Sequence, residues 1–483
     1  MTLYFETGPI RPPSEANSLL LRLTRNCTWN RCDFCPTYKG EKFSWRSVEE
    51  IKKDIDAVTE ACRLVREISW ERGCGGAVNR EVLAYIYEVH GFQLFHVASW
   101  LYHGGRTVFF QDANSLALKP GNQPFAQAYP QLHLEQVRLL PDVQRRKVSW
   151  RSVEEIKKDI DAVTEACRLV REISWERGCG GAVNREVLAY IYEVHGFQLF
   201  HVASWLYHGG RTVFFQDANS LAMKTADLLE VLKYLKECLP SVERVTSYAR
   251  SDTLLRKSVD ELAELGRAGL SRIHVGMESG CDEVLEFVNK GVTARQHVDA
   301  GRMVKEAGIS LTEYVLLGLG GRRWSRKHYL DTAAVLNAVN PDFIRLRTLA
   351  VVEGTPLFQK VLNGQFEEQS EEDLIAGERL MIEHLNGIQS SLISDHSTNL
   401  LEEINGRLPE AKPSMLAVID RFLALPEREK KNYILGKRWG MYRRLDDMLD
   451  PARHARVEEA LDRLENEGQL WSAVSYLKRQ LIV

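Results

Sequence analysis

From Val242 onward, apolar runs of strand length alternate with segments at helical spacing. Strands are predicted at Val242–Ser247, Ser271–Gly276, Leu311–Gly318 and Phe343–Leu349. Helices are predicted between them at Ser258–Ala268, Asp282–Val288, Ala294–Ala307 and Lys327–Val339. Upstream, Ser18-Leu-Leu-Leu-Arg-Leu-Thr24 reads as a strand, and so does Thr212-Val-Phe-Phe-Gln-Asp217, which runs into a helix at Ala226–Cys238. Six strands alternating with helices imply an α/β fold, a parallel sheet with its helices outside.

A long repeat interrupts this alternation. Ser44–Ala117 and Ser149–Ala222 are identical over 74 residues, at an offset of 105. Each copy reads as a charged helix, an apolar helix or helix pair, and a strand: Thr107–Asp112 in the first copy, Thr212–Asp217 in the second. Residues 118–148 between them are rich in Pro and Gln and read as a linker. Repeat architectures recur several times and diverge; two copies without internal change read as a recent duplication or an error of assembly. Only the second copy leads straight into a further helix, and short strand-to-helix loops are the norm. The second copy is therefore expected in the sheet and the first as an insertion, with exchange of the two as the alternative.

The candidate chemistry lies in Thr24-Arg-Asn-Cys-Thr-Trp-Asn-Arg-Cys-Asp-Phe-Cys-Pro36. Cys27, Cys32 and Cys35 cluster as metal-ligating thiolates do, and thiolates select zinc, copper(I) and iron–sulfur clusters. A structural zinc site or a four-iron cluster ordinarily takes four protein ligands. Three would leave one metal position open to another molecule. The remaining six cysteines, Cys62, Cys74, Cys167, Cys179, Cys238 and Cys281, read as packed thiols.

A net charge of −3 gives no global basic character for nucleic acid. No apolar run approaches the roughly 18 residues of a membrane span. Residues 1–17 carry no apolar signal core, so a reducing, cytoplasmic setting is expected.

A cysteine loop between a first strand and a first helix resembles the radical S-adenosylmethionine (radical SAM) enzymes. The spacing Cys-x4-Cys-x2-Cys departs from the family's commonest Cys-x3-Cys-x2-Cys. Gly276-Met-Glu-Ser-Gly280, with Asn289-Lys-Gly-Val-Thr293, resembles the stretch after the family's fourth strand, which makes Glu278 and Ser279 cofactor contacts. Gln216 and Asp217 fall where relatives hold the amino group of the cofactor, although the usual glycines are missing. Gly318-Leu-Gly-Gly321 resembles a glycine-containing adenine and ribose contact, through Gly318 and Gly320, and Gly354-Thr-Pro356 a frequent turn of the family. The resemblance covers residues 18–358 and implies a partial (β/α)6 TIM-like barrel. It also implies a [4Fe–4S] cluster on the three cysteines and S-adenosylmethionine on its open iron. A flavodoxin- or ferredoxin-like protein would donate the electron, and a 5′-deoxyadenosyl radical would take hydrogen from a substrate, expected to be a small molecule. Two alternatives stand beside it: a zinc-stabilised binding protein without catalysis, and a radical SAM homologue inactivated by the duplication.

Residues 359–483 read as a helical extension. Asp395-His396-Ser-Thr-Asn399 is a polar island there; His396 reads as a surface turn residue, with substrate binding or proton transfer as the alternative. Glu427–Arg444 interleaves acids and bases and reads as a solvated helix face.

Overall fold

The structure, a computed structural model, describes residues 152–481 apart from 217 and 218, together with 19–22, 31–35 and positions 65, 67–72, 82 and 85. Two compact units divide the chain: residues 1–40 with 150–483, and residues 41–149.

In the larger unit, strand β1 (Leu19–Arg22) is followed in order by helices α1 (Val153–Glu176), α2 (Arg185–Val194) and α3 (Gly196–Tyr207), and by β2 (Thr212–Gln216). Next come α4 (Thr225–Cys238), β3 (Arg244–Ala249), α5 (Ser251–Leu254), α6 (Val259–Arg267), β4 (Leu270–Glu278), α7 (Asp282–Phe287) and α8 (Ala294–Glu306). Then follow β5 (Ser310–Leu317), α9 (Ser325–Val339), β6 (Phe343–Thr348), α10 (Pro356–Leu362) and α11 (Glu371–His384). The chain closes with β7 (Ser391–Ile393), β8 (Asn405–Arg407), α12 (Lys412–Leu423), α13 (Glu427–Arg438), α14 (Pro451–Asn466) and α15 (Leu470–Gln480).

The strands lie in sequence order in one sheet, β1 to β7 parallel and β8 antiparallel to β7. This is the partial TIM-like barrel with outer helices. The strand beside β1 is the second repeat copy, Leu19 pairing with Val213 and Arg22 with Gln216.

Local sequence explains the helices. Ser152 and Glu155 form a capping box at the start of α1, as do Ser258 and Glu261 at α6 and Thr293 and Gln296 at α8. Along α1, Ile156, Ile160, Val163, Cys167 and Val170 recur at helical spacing and are buried. Alternation along the strands sorts the two faces of the sheet. Val213, Val245, Ile273, Val275, Leu311, Val315, Ile344 and Leu346 join the main apolar core with the helices. The opposite, inward face carries Phe214, Tyr248, His274 and Tyr314, whose rings contact one another.

Three expectations are corrected. The segment after Gln359 is not purely helical, since β7 and β8 extend the sheet; at three residues each they are too short for a periodic signal. β4 runs two residues past Gly276 and ends on Glu278. The solvated face expected over 427–444 is kept only at its ends, where Glu427, Arg428, Arg443 and Arg444 are exposed, while Asn432 to Arg438 of α13 are buried. The two buried charges at the end of this helix are paired inside. Lys437 reaches Glu402 at 2.5 Å, and Arg438 reaches Glu371 at 2.5 Å.

In the smaller unit, the described positions pack as their counterparts in the second copy do. Arg72 lies 4.2 Å from the Tyr85 ring centre, and Arg177 lies 4.2 Å from that of Tyr190. Val65 and Val82 are fully buried, like Val170 and Val187.

Candidate active site at the barrel mouth

Barrels of this type gather chemistry at the C-terminal ends of their strands. Residues 31–35, beyond the end of β1, carry Cys32 (buried) and Cys35 (half-buried), both as thiols. Cys27 lies outside the described residues.

The loop is seated by two segments distant in sequence. Asp33 N donates to Val288 O at 2.9 Å, and Asn289 Nδ2 donates to Arg31 O at 3.2 Å. From the other side, Leu357 N donates to Asp33 O at 3.0 Å, and Lys360 Nζ pairs with Asp33 Oδ2 at 2.7 Å. Phe34 packs against a second apolar cluster that includes Val288, Leu357 and Phe366. The Gly354-Thr-Pro356 turn thereby acquires a role. Thr355 caps α10 by accepting from Phe358 N, and Pro356 opens the helix. This start directs Leu357 and Lys360 to the cysteine loop.

At the end of β4, Glu278 has φ 66°, in the left-handed region that non-glycine residues rarely occupy. The strand register shifts between Gly276 and Glu278, and the carboxylate folds back over Gly276. There Lys290 Nζ meets Oε1 at 3.3 Å, with both side chains largely buried. Arg250 supports Lys290 from behind, its Nη2 donating to Lys290 O at 2.9 Å.

Ser279 is fully buried; its hydroxyl pairs with His328 Nδ1 at 2.8 Å and accepts from Cys281 N at 3.0 Å. Burial pushes His328 down to about 4, so the ring is neutral at pH 7. Gln216 is the last residue of β2; Asp217 lies outside the described residues. Gly318 has φ 87°, and a Cβ there would lie 2.6 Å from Leu374. A Cβ on Gly320 would lie 2.8 Å from His328. Both glycines are thus demanded by packing behind the turn.

The structure adds residues that the motifs did not mark. Inward-facing Arg345 and Arg347 of β6 stand near the mouth, beside the polar island. Arg345 Nη1 lies 3.1 Å from both carboxylate oxygens of Asp395. Arg347 stacks its guanidinium 4.9 Å from the Tyr314 ring centre. His396 is not an isolated surface residue: it is half-buried, with Nδ1 2.7 Å from Thr398 Oγ1. Burial, with Arg347 nearby, pushes its pKa down to about 4. The signal for these arginines was present, since charges at alternate positions of a parallel strand face the barrel interior.

One further thiol group is no metal centre. Cys281, Glu283 and Asp331 converge, but Lys327 Nζ already sits 2.7 Å from Glu283 and 2.8 Å from Asp331. Burial also raises the Cys281 thiol to about 11, away from the thiolate a metal needs.

The donor set fits an iron–sulfur centre. Two thiols stand three residues apart on a strand-end loop, beside a carboxylate–ammonium pair suited to a zwitterionic cofactor. Among the described residues no helix is long and apolar enough to cross a membrane. Residues 135–333 match the family model of the Radical SAM superfamily. The match takes in the second repeat copy and lies beyond the cysteines. An uncharacterized protein of Methanocaldococcus jannaschii is 29% identical over 138 residues, 28% of this chain and 42% of that protein. The tRNA uridine(34) acetyltransferase of the same organism is 24% identical over 127 residues, 26% of this chain and 23% of its own. The matched stretch spans less than half the length of either relative. Among solved structures, the coproporphyrinogen III oxidase of Escherichia coli aligns with a TM-score of 0.31 at 17% identity, covering 47% of this chain and 46% of that one.

Proposed function

We propose, from the premise that this chain belongs to the radical SAM superfamily and uses a [4Fe–4S] cluster and S-adenosylmethionine, that it abstracts hydrogen from a substrate held over the barrel mouth. When bound, cluster and cofactor together supply reductive cleavage to methionine and a 5′-deoxyadenosyl radical. The protein's residues hold, orient and exclude water. Cys27, Cys32 and Cys35 hold the metal. Glu278, standing with Lys290, takes the polar groups of the cofactor, its carboxylate accepting from hydroxyl or amino donors. Gln216, the last residue of β2, and Asp217, outside the described residues, are assigned to the amino group of the cofactor by the resemblance, and the Gly318–Gly320 turn contributes backbone polar groups. Ser279 supports this floor through His328. A flavodoxin- or ferredoxin-like protein delivers the electron.

The observation that carries this reading is the seating of Cys32 and Cys35. Asp33, between them, is tied to Val288, next to the Asn289–Lys290 segment that also pairs with Glu278. Metal loop and cofactor carboxylate are thereby fixed to one support.

The substrate is open between a small molecule and RNA, because one curated relative acts on tRNA by its name. The test is anaerobic reconstitution with iron and sulfide, then dithionite reduction with S-adenosylmethionine and assay for 5′-deoxyadenosine. Product that disappears in Cys32→Ala supports the enzyme. A folded chain that holds zinc, takes up no cluster and makes no product rejects it and favours the zinc-stabilised binding protein.

A further inference from the structure

We propose that the barrel mouth binds a small organic substrate through a terminal carboxylate or phosphate seated on Arg347. The inference rests on the radical SAM reading for what happens to that substrate, but the anion site stands on its own geometry.

Alternation in β6 sends Ile344 and Leu346 into the outer core and turns Arg345 and Arg347 inward. Register sets the depth: Glu278 pairs with Val315 and Arg347 with Leu316, so both stand at one level of the mouth. The fixed charges there do not cancel. Lys290 is paired with Glu278, and Arg345 with Asp395. Arg347 has no ion pair among the described residues. Among the described residues three cations stand against two ionised carboxylates, since burial holds the Glu313 carboxyl near Glu278 and Lys290 well above the usual carboxylate range; one positive charge is left, on a half-buried guanidinium that cannot deprotonate. His396 adds no charge near neutral pH.

Glu278 and Asp395 act on Arg347 from outside ion-pair distance, so an anion in direct contact would add an interaction that the described residues do not supply. The guanidinium fork matches the two oxygens of a carboxylate or phosphate. A second donor stands beside it: the buried Tyr314 Oη has the Tyr248 hydroxyl near it but makes no well-formed hydrogen bond among the described residues. Leaving such a hydroxyl unsatisfied costs free energy, and an oxygen of the bound anion would satisfy it. The site faces the barrel interior, walled by the Tyr248 and Tyr314 rings. That favours a terminal group on a small molecule over the backbone of a folded RNA.

The test is equilibrium dialysis of the full chain, with and without reconstituted cluster, using labelled inorganic phosphate and labelled succinate as probes, on wild type, Arg347→Met and Arg347→Lys. We expect one probe to bind wild type and to weaken at least tenfold in Arg347→Met, with an intermediate value for Arg347→Lys. Phosphate binding would name a phosphate ester, and succinate binding a carboxylic acid. Equal binding to wild type and Arg347→Met, or binding of neither probe, would overturn the proposal. So would parallel loss of S-adenosylmethionine affinity, which would give Arg347 to the cofactor. Binding of bulk tRNA alone, lost in Arg347→Met, would replace the small molecule with RNA. Melting curves of both variants separate misfolding from lost binding. Absence of 5′-deoxyadenosine in wild type with probe binding intact would reject the radical reading and leave the anion site standing.

Discussion

Lys290 Nζ stands 3.3 Å from Glu278 Oε1, directly over Gly276, at the end of the barrel's fourth strand. The pair holds a carboxylate whose own backbone is in the left-handed region, at a cost of about 1 kcal/mol or more. Glycine at 276 makes the fold-back possible, because a Cβ there would lie 2.4 Å from Glu278 Oε1. Gly276→Ala should therefore displace the carboxylate while the strand persists, since the clash is with the mobile end of a side chain. Affinity for S-adenosylmethionine, read by dialysis, is expected to fall at least tenfold, with the melting temperature nearly unchanged. Unaltered affinity would remove Glu278 from the cofactor site.

The Asp33–Lys360 pair joins the cysteine loop to α10, at 2.7 Å with the carboxylate mostly buried. Lys360→Met leaves Asp33 without its cation on a short loop whose backbone bonds remain. Iron and sulfide per reconstituted chain are expected to drop by half or more. Far-ultraviolet circular dichroism should not change. Full iron content would show that the backbone bonds to Val288 and Leu357 suffice.

Much of this site was legible in the chain. The alternation of apolar runs gave the barrel strands from Val242 onward, because half-buried strands and amphipathic helices differ in period. Glu278 and the glycines of 318–321 stood out by motif. Arg345 and Arg347 were not singled out, although they alternate along a strand, because such a charge marks a site only once the inward face is known; Lys290 stood in the Asn289–Thr293 motif, but only the fold brings this loop residue to Glu278. The buried charges of α13 were misread for a related reason. Sequence shows acids and bases interleaved along one helix, but Arg438 and Lys437 find their partners, Glu371 and Glu402, on distant segments. The repeat is a limit of another kind: identical sequence gives identical local packing, as Arg72 on Tyr85 and Arg177 on Tyr190 show. Only the connection to α4 distinguishes the copy that pairs with β1.

Arg438 ties the C-terminal helices to the mouth. Its Nη2 bonds Glu371 at 2.5 Å, Glu371 also takes Lys478 at 3.1 Å, and its Nη1 donates to Thr398 O at 2.7 Å, in the loop that carries His396. Removing one partner of a buried pair costs about 3–5 kcal/mol. Arg438→Met should lower chemical-denaturation stability by that order. A loss below about 1 kcal/mol would mean that the network adds little.

Three histidines set an acid limit. Burial pushes His297 down to about 3, and His328 and His396 down to about 4. For each, the unfolded pKa of about 6.5 lies above the folded value. The unfolded state then binds more protons, and stability present above about pH 6.5 is lost as pH falls toward the folded values. Each histidine contributes about 1–2 kcal/mol of loss by pH 5. Burial holds Glu378 up to about 8 and Glu313 well above the usual carboxylate range, and these two gain stability over the same interval, so the histidine contribution is read as a difference: between pH 7 and pH 5 wild type should lose more stability, or gain less, than His297→Gln. Parallel pH profiles for the two would place the His297 ring in contact with water.

The first repeat copy should be dispensable. The contacts that seat Asp33 come from Val288, Leu357 and Lys360, and the strand beside β1 is Thr212–Gln216. None of these residues lies within 44–148. Deleting 44–148 removes one repeat unit, leaves 378 residues (483 − 105) and joins Phe43 to the second copy. Both copies begin with the same segment from Ser44 or Ser149, so the junction restores the local sequence that follows Phe43. The deletion variant is expected to reconstitute to the full-length iron content and to cleave S-adenosylmethionine within about threefold of the full chain, a difference under about 1 kcal/mol in barrier. A large gain on deletion would mark the insertion as inhibitory. A loss of iron would mean that residues 44–148 help to hold the cysteine loop.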